Sequence, residues 1–278
     1  MRSSRIFLLC AKLVAEGWDI MVKAIFFDVD GTIISYENGK IPQSTRNVIC
    51  DLRKQGILCV LATGRSLMEL EDLDIKDLEF DGYIMLNGQL CFDEHKRKLW
   101  GVPIPSDDFK RGLRMFNDKE LPLSFVEVNR LYNNFIDETV EVAQASISSP
   151  LMDVDSYKGD EVYQIAVFAS ADKESYLKKE FPNCKVTKWN TCAFDVIANT
   201  GGKVWGIQEY CKMMNISKNE IMAFGDGEND MEMLQYAHVG IAMGNANDEV
   251  KVVSDYVTDT VDKDGILKAL QHYKVVKG

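Results

Sequence analysis

Short apolar runs, each followed at once by polar residues, are the strongest pattern in this chain. The run at 22–27 is rich in strand formers and contains a single charge, which predicts a strand buried on both faces of a parallel sheet. Residues 44–55 carry apolar positions at helical spacing, with Ser44 as the predicted N-cap and Gly56 as the closing residue. A second buried strand is predicted at 57–62, so this part of the chain forms a β-α-β unit.

A long region of different texture interrupts this regular pattern. After a third apolar run that ends at Asn87-Gly88, short alternating segments and polar helical stretches follow one another, as is typical of an α+β module. The alternation of helices and buried strands then returns. We therefore predict an α/β fold with a doubly wound, mostly parallel, Rossmann-like core at 21–88 and 197–278, and an α+β cap domain inserted at 89–196.

The first twenty residues stand outside this pattern. Lys12 interrupts the apolar run at 6–11, which is shorter than the apolar region of a secretory signal. Met21 stands directly before the first predicted strand. We interpret residues 1–20 as an extension left by an over-extended start site or by cloning, with a genuine helix as the alternative.

Charge and cysteine content narrow the possible functions. The 278 residues include 32 Lys and Arg against 43 Asp and Glu, and the resulting net charge of −11 disfavours binding to nucleic acid or to an anionic membrane. The seven cysteines are widely spread, which is typical of free thiols in a reducing cytoplasm. No apolar run reaches the roughly 20 residues that a bilayer requires. We expect a soluble cytoplasmic protein, either a monomer or a weak dimer.

Carboxylates follow two of the predicted strands, at the edge of the sheet where ligands bind in open α/β folds. Asp28 and Asp30 are two residues apart, so an extended chain directs both side chains to one side. Asp226 and Asp230 follow another strand, with Asn229 beside them. Each cluster alone also fits an ordinary turn or helix cap. Carboxylates that converge repel one another, and oxygen ligands without His or Cys favour Mg²⁺ as the balancing cation.

Two further strand ends carry groups that suit a phosphate. Thr63-Gly64 offers a hydroxyl and backbone N–H groups at a predicted helix start, where an anion is favoured. Lys203 opens another predicted helix and could direct its ammonium group at a phosphoryl oxygen. An ordinary N-cap and an exposed lysine are the structural alternatives at these two places.

In order along the chain, these motifs resemble the four motifs of the haloacid dehalogenase superfamily. The matching segments are DVDGT at 28–32, TGR at 63–65, Lys203, and GDGEND at 225–230. The insert between the second and third motifs resembles the Cof-type branch of sugar phosphatases with a type IIB cap. The likeness is specific in the core and weak within the cap.

The resemblance implies a role for each matched acid. Asp28 is implied to be the nucleophile that attacks phosphorus and becomes an aspartyl phosphate. Asp30 is implied to protonate the leaving oxygen and then to activate water. Mg²⁺ is expected at Asp28, at Asp30 through its backbone carbonyl, and at Asp226, with Asp230 close by in support.

The resemblance also implies groups that hold the phosphoryl oxygens and the leaving group. Phosphate contacts are expected from Thr63, Lys203, Asn229 and the N–H groups near Val29 and Gly64. Leaving-group contacts are expected from the last part of the insert, at Trp189, Asn190, Phe194 and Asp195. As an alternative, Trp189 and Phe194 belong to the core of the cap. Arg65 belongs either to the site or to a surface ion pair.

The expected activity is Mg²⁺-dependent hydrolysis of small phosphorylated metabolites, with hexose or pentose phosphates as substrates. A phosphomutase or phosphotransferase that uses the same aspartyl phosphate is the first alternative. A non-enzymatic signalling module with a phosphorylated aspartate is the second. Such modules have no inserted cap, and their paired acids precede the phosphorylated residue, so the motif order disfavours them.

Overall fold

The structure is a computed structural model that describes residues 12–15, 18–147 and 150–277. In chain order its strands are β1 (Lys12–Ala15), β2 (Trp18–Met21), β3 (Ala24–Phe27), β4 (Leu58–Ala62), β5 (Gly82–Met85), β6 (Leu90–Asp93), β7 (Lys98–Gly101), β8 (Leu123–Val126), β9 (Leu131–Asn133), β10 (Gln164–Phe168), β11 (Cys184–Asn190), β12 (Ala193–Ala198), β13 (Ile221–Gly225), β14 (Val239–Ala242) and β15 (Tyr256–Val257). Its α-helices are α1 (Gln43–Lys54), α2 (Leu67–Glu71), α3 (Ser106–Asn117), α4 (Glu138–Ser146), α5 (Glu174–Glu180), α6 (Lys203–Met214), α7 (Met231–Tyr236), α8 (Asp248–Val253) and α9 (Gly265–His272).

The larger sheet has eight strands in the order β15-β14-β13-β3-β4-β5-β6-β7. The pairs from β15 to β5 are parallel, and the last two pairs are antiparallel. Ile25 and Phe27 of β3 belong to the apolar layer that includes α1 and α9, whereas Phe26 belongs to the opposite layer with α6 and α7. Helices therefore cover both faces of this sheet, and the predicted doubly wound α/β fold is confirmed.

Two predicted helix starts are wrong. Helix α1 begins at Gln43, and the Ser44 hydroxyl donates to Asp264 Oδ1 at 2.5 Å instead of capping the helix. Thr63-Gly64 does not open a helix either. Ser66 is the N-cap of α2, where it forms a capping box with Glu69.

The second sheet lies in the inserted region and has the strand order β11-β12-β10-β8-β9, with every pair antiparallel. The prediction that residues 90–92 belong to the insert is wrong. Strand β6 pairs with β5 and forms a hairpin with β7 that extends the larger sheet. Phe92 consequently packs in the main apolar core. At its other end the smaller sheet extends slightly past the predicted boundary, since β12 reaches Ala198.

Strands β1 and β2 pair antiparallel as a separate two-stranded sheet, with Lys12 opposite Met21. The predictions made for 1–20 fall in part on 1–11 and 16–17, which lie outside the described residues. Over 12–15 and 18–20 the alternative of a helix is wrong, because these residues form the two strands. In the described part of the chain, no helix has both the length and the apolar character needed to cross a membrane.

Candidate active site

The predicted core residues meet at one edge of the larger sheet. Asp28 follows β3, and Asp226 follows β13, which pairs in parallel with β3. Thr63 follows β4, the parallel neighbour of β3 on its other side. Because all three strands run in the same direction, the residues that follow them lie side by side at the carboxyl edge.

Lys203 joins two of the acids at this edge. Located in the first turn of α6, it directs its Nζ at Asp28 Oδ1 and at Asp230 Oδ1, each at 2.6 Å. Asp28 is 6% exposed, Lys203 is 3% exposed and Asp230 is fully buried. The other oxygen of Asp230 accepts the backbone N–H groups of Asp226 and Gly227 at 3.0 Å. Asp230 therefore fixes both the lysine and the turn that carries Asp226.

Burial dominates the electrostatics of this cluster. It raises the pKa of Asp28 well above the usual range, an effect that Asp230 reinforces and Lys203 opposes. Burial and Asp230 likewise raise the pKa of Asp226 to about 7. For Lys203, burial lowers the pKa, but Asp230 and Asp28 outweigh it and the net shift is upward. The ammonium group therefore stays charged.

The donor set fits a hard divalent cation. One carboxylate oxygen from each of Asp28, Asp226 and Asp230 lies within 4.8 Å of the others. Three carboxylates beside one ammonium group leave two negative charges unbalanced when all are ionised. A divalent cation that prefers oxygen ligands has the charge and the ligand preference to balance them.

A glycine and an asparagine shape the loop after β3. Gly31 has φ +73°, and a Cβ atom there would lie 2.2 Å from Asp226 Oδ2. Asn245 Nδ2 donates to Gly31 O at 2.8 Å and to Asp226 Oδ2 at 3.0 Å. Asn245 thus links the two loops that carry the acids. The sequence analysis predicted no role for this side chain.

Asp30 is held by an arginine. Arg65 Nε lies 2.7 Å from Asp30 Oδ2, and Arg65 Nη2 lies 2.8 Å from Asp30 Oδ1. Arg65 is 9% exposed, so this bidentate pair belongs to the site and not to the open surface. The Tyr36 hydroxyl donates to the backbone carbonyl of Asp30 at 3.1 Å.

The remaining predicted phosphate contacts lie close to these groups. Thr63 is buried, and its Oγ1 accepts the backbone N–H of Arg65 at 3.2 Å. Asn229 Nδ2 donates to Asn87 Oδ1 at 3.1 Å. Gly64 lies against the same Asn87, whose amide is 3.2 Å from where a Cβ of Gly64 would be. Val29 is buried, and its carbonyl accepts from the turn that follows it.

A cavity of about 460 Å³ lies between these groups and the smaller sheet. Two of the four predicted cap residues, Trp189 and Asp195, line it. Phe194 is buried in the apolar core of the insert, because adjacent residues of β12 point to opposite faces. The Asn190 side chain lies outside the described lining and bonds to Ser146 Oγ at 2.5 Å and to Cys192 N at 3.2 Å. Phe194 and Asn190 are therefore removed from the proposed leaving-group contacts.

Two glutamines in the cavity wall were missed from the sequence. Gln164 Nε2 donates to Asp195 Oδ1 at 3.0 Å, and Gln144 lies on α4, a helix that was not predicted. The polar Gln164 begins the otherwise apolar strand β10, and that contrast was the available signal. Asp137, which accepts the backbone N–H of Thr139 at 2.9 Å, was the corresponding signal for the start of α4.

Comparison with known proteins decides the family. A family model described as haloacid dehalogenase-like hydrolase matches residues 25–270. The chain belongs to this family. The predicted family and the predicted enzyme class, a phosphatase, are both confirmed.

Similar proteins cover nearly the whole chain. The Bacillus subtilis protein YkrA is 31% identical over 92% of this chain and 99% of its own length. The solved structure of the phosphatase BT1666 from Bacteroides thetaiotaomicron covers 95% of this chain and 99% of its own, with 31% identity and a TM-score of 0.85. The structure of BT4131, described as a subclass IIB sugar phosphatase, covers 92% of this chain and 100% of its own, with 32% identity and a TM-score of 0.79.

Proposed function

We propose that this hydrolase is a Mg²⁺-dependent phosphatase that acts on small phosphorylated metabolites, with sugar phosphates as the substrate class and an aspartyl phosphate on Asp28 as the intermediate. The observation that carries the proposal is the buried contact of Lys203 with Asp28 and Asp230 beside Asp226, at the base of a cavity. A cytoplasmic location and a monomeric or weakly dimeric state also remain proposals.

Asp28 is the proposed nucleophile. One of its carboxylate oxygens forms a bond to phosphorus while the bond between phosphorus and the leaving oxygen breaks. Asp30 donates its proton to that oxygen and later takes a proton from the water that attacks the phosphoryl group. As the water oxygen bonds to phosphorus, the bond between phosphorus and the Asp28 oxygen breaks, which frees the Asp28 carboxylate and releases inorganic phosphate. Both carboxylate oxygens of Asp30 accept hydrogen bonds from Arg65 in this conformation, so the pair must separate before Asp30 can donate a proton.

Asp28, Asp226 and the backbone carbonyl of Asp30 would hold Mg²⁺. When bound, the cation would neutralise negative charge on Asp28 and on the phosphoryl oxygens. Asp230 would support the ligands from behind, since its oxygens already accept from Lys203 and from two backbone N–H groups.

The other polar groups at the sheet edge would hold the phosphoryl oxygens. Lys203 supplies the positive charge, and Thr63 and Asn229 supply neutral donors. The backbone N–H groups near Val29 and Gly64 complete the proposed set. The sugar-phosphate assignment is supported by the similarity to the sugar phosphatase BT4131 and by the polar side chains of the cavity wall.

The variant Asp28→Asn tests the proposal directly. With Mg²⁺ present, we expect the wild-type protein to release phosphate from a generic aryl phosphate and the variant to release none, while its melting temperature shows that it is folded. Full activity in the folded variant would end the proposal. Interconversion of sugar-phosphate isomers without release of free phosphate would instead identify a phosphomutase.

A further inference from the structure

The wall of the catalytic cavity contains polar atoms from the insert for which the described part of the protein supplies no hydrogen-bond partner. Gln164 is 6% exposed; its Nε2 donates to Asp195, whereas its Oε1 is buried and has no hydrogen-bond partner in the described part of the chain. Within the same described ranges, Trp189 Nε1 and Gln144 Oε1 are also buried and unpaired. All four side chains line the cavity.

These atoms form a complementary set. Gln164 Oε1 and Gln144 Oε1 can each accept a hydrogen bond from a hydroxyl group, and Trp189 Nε1 can donate one to a hydroxyl oxygen. Buried polar groups normally have a partner, so a ligand or water has to supply what the protein does not. A leaving group that carries several hydroxyl groups can satisfy donors and acceptors together, whereas an apolar one leaves them unpaired.

The charges of the cavity wall add a second constraint. Its acids include Glu69 and Asp195 in addition to the acids at the sheet edge. Among the described lining residues Arg65 is the only cation; in this conformation it donates two hydrogen bonds to the Asp30 carboxylate and one to Ile147 O at 3.4 Å. A second phosphate or a carboxylate on the substrate would therefore meet Glu69 and Asp195, and the single charge of Arg65 also has to balance Asp30.

We infer that the cavity selects phosphate monoesters whose remaining part is uncharged and rich in hydroxyl groups. It rejects phosphate monoesters that carry a second anionic group. Gln164 and Asp195 are the residues that determine this specificity. The inference rests on the proposed function and narrows its substrate class. It assigns the selection to polar contacts on β10 and β12, at a wall formed by the insert.

The test uses two substrates that differ at one carbon. Sorbitol 6-phosphate and 6-phosphogluconate are both open-chain six-carbon phosphate esters, but C1 is a hydroxymethyl group in the first and a carboxylate in the second. At pH 8 we expect kcat/KM to favour sorbitol 6-phosphate by at least about tenfold, the size of effect that one mismatched charged group typically produces. Equal kcat/KM values for the two would overturn the inference.

Two variants locate the source of the preference. At pH 8 Asp195 is largely ionised, because burial raises its pKa only to about 7. Asp195→Asn then removes the charge with little change of shape, so the preference for sorbitol 6-phosphate should narrow several-fold. Asp160→Asn removes the same charge from an exposed position of the insert and should leave the preference as it is in the wild type. A preference that is unchanged in Asp195→Asn contradicts the assignment to Asp195.

A binding measurement separates this inference from the proposed function. If the wild-type protein hydrolyses neither these esters nor an aryl phosphate with Mg²⁺, the proposed function fails. Calorimetric titration of the two esters into Asp28→Asn with Mg²⁺ still decides the inference. Tighter binding of sorbitol 6-phosphate supports it, and equal or weaker binding overturns it.

Discussion

The ammonium nitrogen of Lys203 lies 2.6 Å from Asp28 Oδ1, although the two residues are 175 positions apart in the chain. Both side chains are buried, and the lysine also contacts Asp230. The ion pair therefore joins the first strand of the core to the helix that follows the insert. Its removal affects folding as well as chemistry.

The variant Lys203→Met keeps the length of the side chain but leaves Asp28 and Asp230 buried without their cation. We expect it to lower the free energy of unfolding by about 3–5 kcal/mol, the usual cost of removing one partner of a buried ion pair. Urea denaturation of the metal-free protein measures this. Lys54→Met is the matched control, because Lys54 forms an exposed pair with Asp51 and its loss should leave stability nearly unchanged. Equal effects of the two substitutions would contradict the role given to Lys203.

Mg²⁺ should stabilise the protein more at pH 8 than at pH 5.5. Burial and Asp230 raise the pKa of Asp226 in the folded state to about 7, above its unfolded value near 3.8. The folded state therefore keeps a proton that the unfolded state loses, and the stability of the metal-free protein falls as pH rises from about 4 to about 7. At the proposed site Mg²⁺ would compete with that proton for the carboxylate.

Melting temperatures with and without Mg²⁺ at the two pH values test this expectation. Asp226→Asn is the control, and this variant should lose most of the Mg²⁺-dependent increase in melting temperature. An increase that is the same at both pH values would show that protons and the cation do not compete here.

The sequence predicted the core of the site because each motif directly follows an apolar run. Parallel strands end at one edge of a sheet, so Asp28, Thr63 and Asp226 had to lie near one another once those runs were identified as strands. Strand pairing was harder to predict. The alternation at 90–92 fits an edge strand of either sheet, and only its pairing with β5 assigns it to the larger one.

Side-chain partners within the insert could not be predicted for a related reason. Phe194 and Asp195 are adjacent in sequence, and the face that each occupies depends on how β12 pairs with β10 and β11. Arg65 fitted both a catalytic and a surface position, and its distance to Asp30 decided between them. Contacts between distant residues determine these outcomes, and local patterns do not encode them.

Gly31→Ala should disrupt the proposed metal site, whereas Gly39→Ala should not. Both glycines have positive φ, +73° and +68°, so each substitution introduces backbone strain of about 1–2 kcal/mol. A Cβ atom added at Gly31 would also lie 2.2 Å from Asp226 Oδ2. A Cβ atom added at Gly39 would have no such neighbour within 4 Å. We expect the Mg²⁺-dependent increase in melting temperature to be lost only in Gly31→Ala. Retention of that increase in a folded Gly31→Ala protein would contradict the proposed site.

Two asparagines close together in the chain should respond differently to alanine substitution. Asn245 orients Asp226, so Asn245→Ala should weaken Mg²⁺ binding by about 10- to 100-fold, as is usual for residues that hold a metal ligand. Asn247 is the N-cap of α8, and Asn247→Ala should cost about 1 kcal/mol of stability without a change in Mg²⁺ affinity. Calorimetric titration and urea denaturation of both variants separate the two effects. The reverse pattern would show that Asn245 is structural only.

Asp195 should make the protein less stable as pH rises towards neutrality. Burial, with Glu69 adding to it, raises the pKa of Asp195 in the folded state to about 7, whereas the unfolded value is near 3.8. Between these two pH values the folded state must keep a proton that the unfolded state releases, so stability is lost as pH increases from about 4 to about 7 and stays low above that range. Asn resembles the protonated carboxyl group and has no such dependence. The melting temperature of Asp195→Asn should therefore exceed that of the wild type by a margin that grows between pH 5 and pH 8, while Asp160→Asn on the surface of the insert should show no such trend. A constant margin would mean that Asp195 is ionised in the folded protein throughout this range.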